Sequence, residues 1–161
     1  LYATTHHGSD ITDRVPYMFE KNPSSPSYFK PPLEMRTITA GEKIEIGDVN
    51  VNVLDQKHGL TDSLGFIFNG VCGYSTDLND MPEDSFSALA GVPLWIVETL
   101  REQPHQAHAH YDLTFSWIDR VKPEQAVLTH LGLEADYQKL KSICPDRVEP
   151  GYDGMRFELE L

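Results

Sequence analysis

The sequence predicts a layered α/β sandwich, and three observations carry that expectation. Residues 35–77 alternate apolar and polar side chains between turn signals, as an antiparallel β segment does. After Asp77 the period changes, and the rest of the chain reads as β-α-β-α-β. Two of the later runs, VPLWIVETL and EQAVLTH, are almost continuously apolar, the pattern of strands buried within a sheet.

The elements follow in order. The opening LYATTHHGSD looks like the end of a strand, with no initiator Met, and suggests an internal start. Residues 21–33, KNPSSPSYFKPPL, are rich in Pro and Ser and read as an exposed loop that connects two pieces of a domain or covers a site. MRTITA is a short strand. KIEI and VNVNVL are two more, joined by a turn at Gly47-Asp48, a strong hairpin signal. SLGFIFNGVCGYSTD gives another hairpin about Asn69-Gly70. DMPEDSFSALAG reads as a helix, with Pro82 in its first turn, acidic residues near its start and Gly91 past its end. YDLTFSWIDRV is a short amphipathic helix and EADYQKLKSIC a second, separated by the strand EQAVLTH. RVEPGYDGMRFELEL closes with a turn and an alternating strand. No internal repeat or low-complexity tract interrupts the chain.

Size and charge bound the function. The 161 residues suit one domain over 1–161, with a sizeable core. Composition is that of a globular protein, 40% hydrophobic and 24% charged. The formal net charge of -12, from 25 acidic and 13 basic residues, opposes attraction to nucleic acid or anionic lipid. It is compatible with a small anionic substrate, because a bound metal reverses the local sign. No apolar run approaches the ~20 residues that span a bilayer. The first residues do not form a signal peptide. Cys72 and Cys144 form no CxxC, and Cys72 reads as a small buried hydrophobe. A reduced, cytoplasmic protein is the expectation.

Three metal-ligand side chains stand at strand ends: His58, Asp77 and His130. His58 precedes Gly59 after an alternating strand, where a neutral imidazole suits zinc or manganese and a plain loop His is the alternative. Asp77 is either a carboxylate able to bridge two metal ions or a turn or capping Asp. His130 follows a buried strand directly, at the end where α/β folds build sites, or is a hydrogen-bonded strand-end His. In PHQAHAHYDL, His105, His108 and His110 fall together. One of them is placed to reach a site, protonating a leaving oxygen or offsetting developing charge, while His105 reads as solvated. THHGSD has the wrong spacing for a dinuclear histidine motif, which leaves His6 and His7 as surface residues. GxSxG, GxGxxG and P-loop motifs are all missing.

The ordered set of His58 before SLGF, Asp77 in YSTD, the HAH segment, His130 in LTH and GYDGM resembles the metallo-β-lactamase fold, most closely its PhnP-like phosphodiesterase branch. The resemblance spans nearly the whole chain and is strongest over residues 50–161. It implies an αββα sandwich of which this chain is the C-terminal part, since the family's HxHxDH motif lies upstream of such a segment and is not in this sequence. It also implies two divalent ions, zinc or manganese, in the complete protein. Asp77 would bridge them, with His58 on one and His130 on the other. His108 would assist catalysis, with His110 as the fallback, and Asp153 would take a turn role or support the ligands. The implied function is hydrolysis of a small phosphodiester, cyclic forms included, through a metal-bridging hydroxide. The alternatives are a non-catalytic binding protein on the same fold, or a hydrolase of a thioester, lactone or tRNA end. The implied partner is the small-molecule substrate, with no membrane and no nucleic acid; a homodimer stays open.

Overall fold

In the computed structural model, which describes residues 1–160, the change of period at Asp77 becomes a change of strand direction. The chain divides into two compact units, Leu1–Glu42 and Lys43–Leu161.

The second unit is built on one seven-stranded sheet. Its strands run in chain order: β3 Lys43–Ile46, β4 Val49–His58, β5 Thr61–Phe68, β6 Cys72–Ser75, β7 Leu94–Glu98, β8 Gln125–Thr129 and β9 Val148–Pro150. β3 to β6 pair antiparallel, as the hairpin signals require, and β6 to β9 pair parallel. The parallel connections are made by helices α2 Glu83–Leu89, α3 Tyr111–Val121 and α4 Tyr137–Ile143. Each carries a local reason to start or stop. Glu83 and Asp84 lie in the first turn of α2, where carboxylates favour the helix dipole. Lys122 ends α3 in the left-handed region at φ 53°. Asp136 caps α4 by accepting from the Lys139 amide at 2.8 Å.

The core lies between the sheet and these helices. Leu54, Trp95, Val97, Leu128, Phe86, Leu89, Trp117, Ile118 and Leu140 are all buried there. Trp95 donates its indole N–H to Ser75 Oγ at 3.1 Å, so its one polar atom is satisfied. Gly73 admits this ring: a Cβ there would meet Trp95 Cδ1 at 2.9 Å and Leu89 Cδ2 at 2.7 Å. Cys72 is half-buried rather than fully buried, and burial pushes its thiol up.

The first unit holds β1 Tyr2–Ala3, helix α1 Thr5–Arg14, a 3-10 turn Pro16–Met18 and β2 Arg36–Thr37, with β1 and β2 parallel. Residues 21–33 carry no helix or strand and are mostly exposed.

Two elements differ from the sequence expectation. The opening LYATTHHGSD, read as the end of a strand, keeps strand only at Tyr2–Ala3, and THHGSD lies in a helix, α1. Thr4 caps it by accepting from the His7 amide, and Gly8 packs it closely on Met35, its Cβ position 3.3 Å from the sulfur. Residues 155–160 of the closing alternation MRFELEL form no strand, and Leu161 lies outside the described residues; among those described, strand structure at this end is confined to Val148–Pro150. Alternation makes a strand only where a ladder partner exists, and among the described residues none pairs with 155–160.

Candidate metal centre

Four strands end on one rim. β4 runs antiparallel to β5, and β5 antiparallel to β6, so β4 and β6 point the same way, as do β7 and β8. Their carboxyl ends carry His58, Asp77, Glu98 and His130 respectively. Asp77 and His130 both take left-handed backbone, at φ 56° and 57°, which turns the chain sharply out of the sheet. A loop from Thr99 to His110 returns across the rim and brings His105 and His108 to it.

The side chains converge. One ligand atom each from Asp77, Glu98, His108 and His130 lies within 4.8 Å of all the others. His58 joins them through His108, the two Nε2 atoms being 3.2 Å apart. The His108 ring stacks on His130 at 5.0 Å and has His105 beside it at 4.9 Å. His105 accepts the Ala107 amide proton on Nδ1 at 3.2 Å, which leaves its own ring proton on Nε2. Desolvation, then the neighbours His108 and Arg101, lower the His105 pKa.

Glu98 is the anchor of the group. It is fully buried, its Oε2 accepts the Leu78 amide at 3.1 Å, and its Oε1 lies 2.6 Å from His108 Nδ1. Burial pushes its carboxyl up to about 7, against the opposing effects of the Leu78 amide and His130. In the ionised form it accepts a hydrogen bond from Nδ1–H of His108, which turns Nε2 toward His58 and the rim.

The donor set suits a divalent cation. It offers imidazole nitrogens and carboxylate oxygens, the ligands that zinc and manganese sites use. Glu98 already spends both oxygens on His108 and Leu78, whereas the side chains of Asp77 and His130 are free to ligate; His58 could join them by giving up its Nε2 contact with His108. A carboxylate behind an imidazole also recurs around protein-bound metals, where it fixes the ring and its tautomer.

The sequence-derived candidates fall into two sets. His58, Asp77, His108 and His130 come together. His110 instead stands at the start of α3, bridged by its backbone to Arg101, outside the four-residue group. Asp153 is exposed and shares with His130 the wall of a cavity of about 370 Å³ that also takes in Tyr152, Met155 and Phe157. Glu98 escaped the sequence reading. Its signal was present, a lone carboxylate closing the apolar run VPLWIVE.

The seven-stranded α/β sheet gathers His and Asp side chains, candidate metal ligands, at the carboxyl ends of its strands. The chain belongs to the beta-lactamase superfamily: residues 1–131 match the family described as beta-lactamase superfamily domain. It is 27% identical over 157 residues to an octanoyltransferase of Porphyromonas gingivalis (strain ATCC BAA-308 / W83), a match covering 96% of this chain and 31% of that protein. Among solved structures it resembles a diphosphatase of the PhnP family, with a TM-score of 0.86 and 24% identity over 100% of this chain and 58% of the other. It also resembles zinc-bound PqqB of Methylobacterium extorquens, with a TM-score of 0.74 and 13% identity over 99% of this chain and 64% of that one. These likenesses bear out the metallo-β-lactamase fold and the PhnP-like resemblance read from the sequence. The chain therefore spans under a third of its curated relative and 58% of the PhnP-family chain.

Proposed function

We propose that the complete protein is a metal-dependent hydrolase, foremost a phosphodiesterase acting on a small phosphodiester. The observation that carries this reading is the convergence of Asp77, His58, His130 and His108 on one rim, with His108 held from behind by buried Glu98. The match to a PhnP-family diphosphatase supports phosphoryl chemistry over other hydrolyses of the fold. The octanoyltransferase match covers too little of that protein to lend its activity here.

Two divalent ions, zinc or manganese, are the implied cofactors, and when bound they make water acidic enough to attack at neutral pH and offset phosphoryl charge. Asp77, His58 and His130 are the side chains that would hold them. Protonated on both nitrogens, His108 would face the leaving oxygen with Nε2–H and hand it a proton, or stabilise its charge. Glu98 would orient His108 and stabilise its imidazolium form through Nδ1–H. His108 takes this role in preference to His110 because its ring lies within the cluster. The net charge of -12 favours a small substrate over a nucleic acid. Free Cys72 and Cys144 fit a reducing, cytoplasmic setting; among the described residues no helix is long and apolar enough to cross a membrane.

Hydrolysis of bis-p-nitrophenyl phosphate by the complete protein, with Mn²⁺ or Zn²⁺ supplied, tests the reading. Metal-dependent turnover that Asp77→Ala abolishes supports it. No turnover in the wild type, or turnover that survives Asp77→Ala, overturns it.

A further inference from the structure

Next to the rim, Gln56 and Ser63 make a polar pair across β4 and β5. Gln56 is fully buried, and its Nε2 has no hydrogen-bond partner. A buried amide of this kind is expected to be paired. Ser63 stands directly across from Gln56 on β5. Carrying the β5–β6 register of Phe66 with Tyr74 onward brings Ser63 opposite Asp77. The Ser63 hydroxyl donates to the Asp77 carbonyl at 2.6 Å, and it lies 3.4 Å from Gln56 Oε1.

A hydroxyl has one proton, and the short contact to the Asp77 carbonyl takes it. Gln56 Oε1 therefore faces an oxygen with no proton left to give. Turning the amide over resolves this: Nε2–H then donates to the Ser63 lone pair, and Ser63 passes its own proton to Asp77. The result is a directed chain from Gln56 to Ser63 to the backbone of Asp77. Gly65 leaves room for it, since a Cβ there would collide with the Gln56 amide, 2.9 Å from its Cδ. His58, two residues along β4 on the same face, puts this pair next to the ligands.

We propose that Gln56 and Ser63 are positioning residues that fix Asp77 for metal binding, an inference that rests on the function proposed above. Asp77 needs such a hold. Its left-handed backbone at φ 56° is costly for a residue with a Cβ, and other turns of the chain compete with it. Tying its carbonyl to Ser63 sets where the chain leaves the sheet, and so where the carboxylate hangs. Neither residue touches substrate or metal; both act through Asp77.

The test measures Zn²⁺ affinity of the complete protein by chelator competition, alongside thermal unfolding of the metal-free form, for Ser63→Ala, Ser63→Thr and Gln56→Leu. Ser63→Ala and Gln56→Leu are expected to weaken Zn²⁺ binding by roughly 10- to 100-fold, as losses of groups that orient ligands do. Ser63→Thr keeps the hydroxyl and stays near wild type. Unchanged Zn²⁺ affinity in Ser63→Ala, with or without a lower unfolding temperature, makes the pair purely structural and overturns the proposal. Should Gln56→Leu not fold, half-buried Ser63→Ala, which removes one oxygen, decides alone. A wild type that binds no Zn²⁺ fails differently, removing the metal-dependent reading and this inference together.

Discussion

His108 Nδ1 sits 2.6 Å from the carboxylate of Glu98, a side chain with no exposure to solvent. The pair settles which nitrogen of His108 faces the rim. Glu98 is held in turn by the Leu78 amide, and its backbone carbonyl accepts from Thr114 Oγ1 at 2.8 Å, so the carboxylate has little freedom to follow another partner.

Glu98→Gln follows from this pair. The amide keeps the shape but presents either an oxygen or an NH₂ to Nδ1, so the tautomer of His108 is no longer enforced. Turnover of bis-p-nitrophenyl phosphate is expected to fall by roughly 10- to 100-fold, in line with other losses of carboxylates behind active imidazoles. Folding should survive, since volume is conserved. Steady-state kinetics beside a thermal melt checks both halves; wild-type turnover in a folded variant would remove Glu98 from the mechanism.

The two candidate histidines of the HAH segment separate by position. His108 stacks on His130 and meets His58, whereas His110 starts a helix and is bridged through its backbone to Arg101. His108→Ala is expected to lower kcat by about 10²–10⁴, the usual span for loss of a general acid. His110→Ala should leave kcat near wild type. The reverse ranking in the same assay would assign the role to His110.

Much of this was legible in the residues, and the reasons for the rest are physical. The turns at Gly47-Asp48 and Asn69-Gly70 and the apolar runs around Trp95 and Val127 gave the strands, because hairpin chemistry and burial are local signals. The strand-end positions of His58, Asp77 and His130 were visible for the same reason. Glu98 was not, since a carboxylate at the end of a buried strand declares itself only through its partners, and His108 is ten residues away. His105 reads as solvated and is exposed; only the ring of His108 beside it was hidden, because that contact depends on how the loop folds back. MRFELEL was over-read, because alternation records a preference and not a pairing partner. Helix α1 was missed because its anchor, Gly8 against Met35, joins residues far apart in sequence.

The core offers a test independent of catalysis. Gly73 lies on β6 where Trp95 and Leu89 press against the backbone, and a methyl there would stand 2.7 Å from Leu89 Cδ2 and 2.9 Å from Trp95 Cδ1. Neither neighbour has room to withdraw, since both are 0% exposed within the main hydrophobic cluster. Gly73→Ala is expected to destabilise the fold by about 1–3 kcal/mol, the usual cost of overpacking a filled core. Urea denaturation gives the number. A midpoint equal to wild type would mean that the sheet and α2 separate more readily than their packing implies.

Metal removal closes the set, because it separates stability from chemistry. Ions that bind only the folded chain stabilise it by mass action, by about 2.7 kcal/mol at a hundredfold excess over Kd. Three candidate ligands, Asp77, His58 and His130, come from three different strand ends, so an ion bound among them would tie β4, β6 and β8 together. Stripping the complete protein with a chelator should therefore lower its unfolding temperature and abolish phosphodiester hydrolysis together. Adding back Mn²⁺ or Zn²⁺ should restore both in wild type. In Asp77→Ala neither should return, because the remaining imidazoles would lack the anionic oxygen that Asp77 offers to a cation. Restored stability without restored turnover in that variant would place the ion elsewhere and detach Asp77 from metal binding.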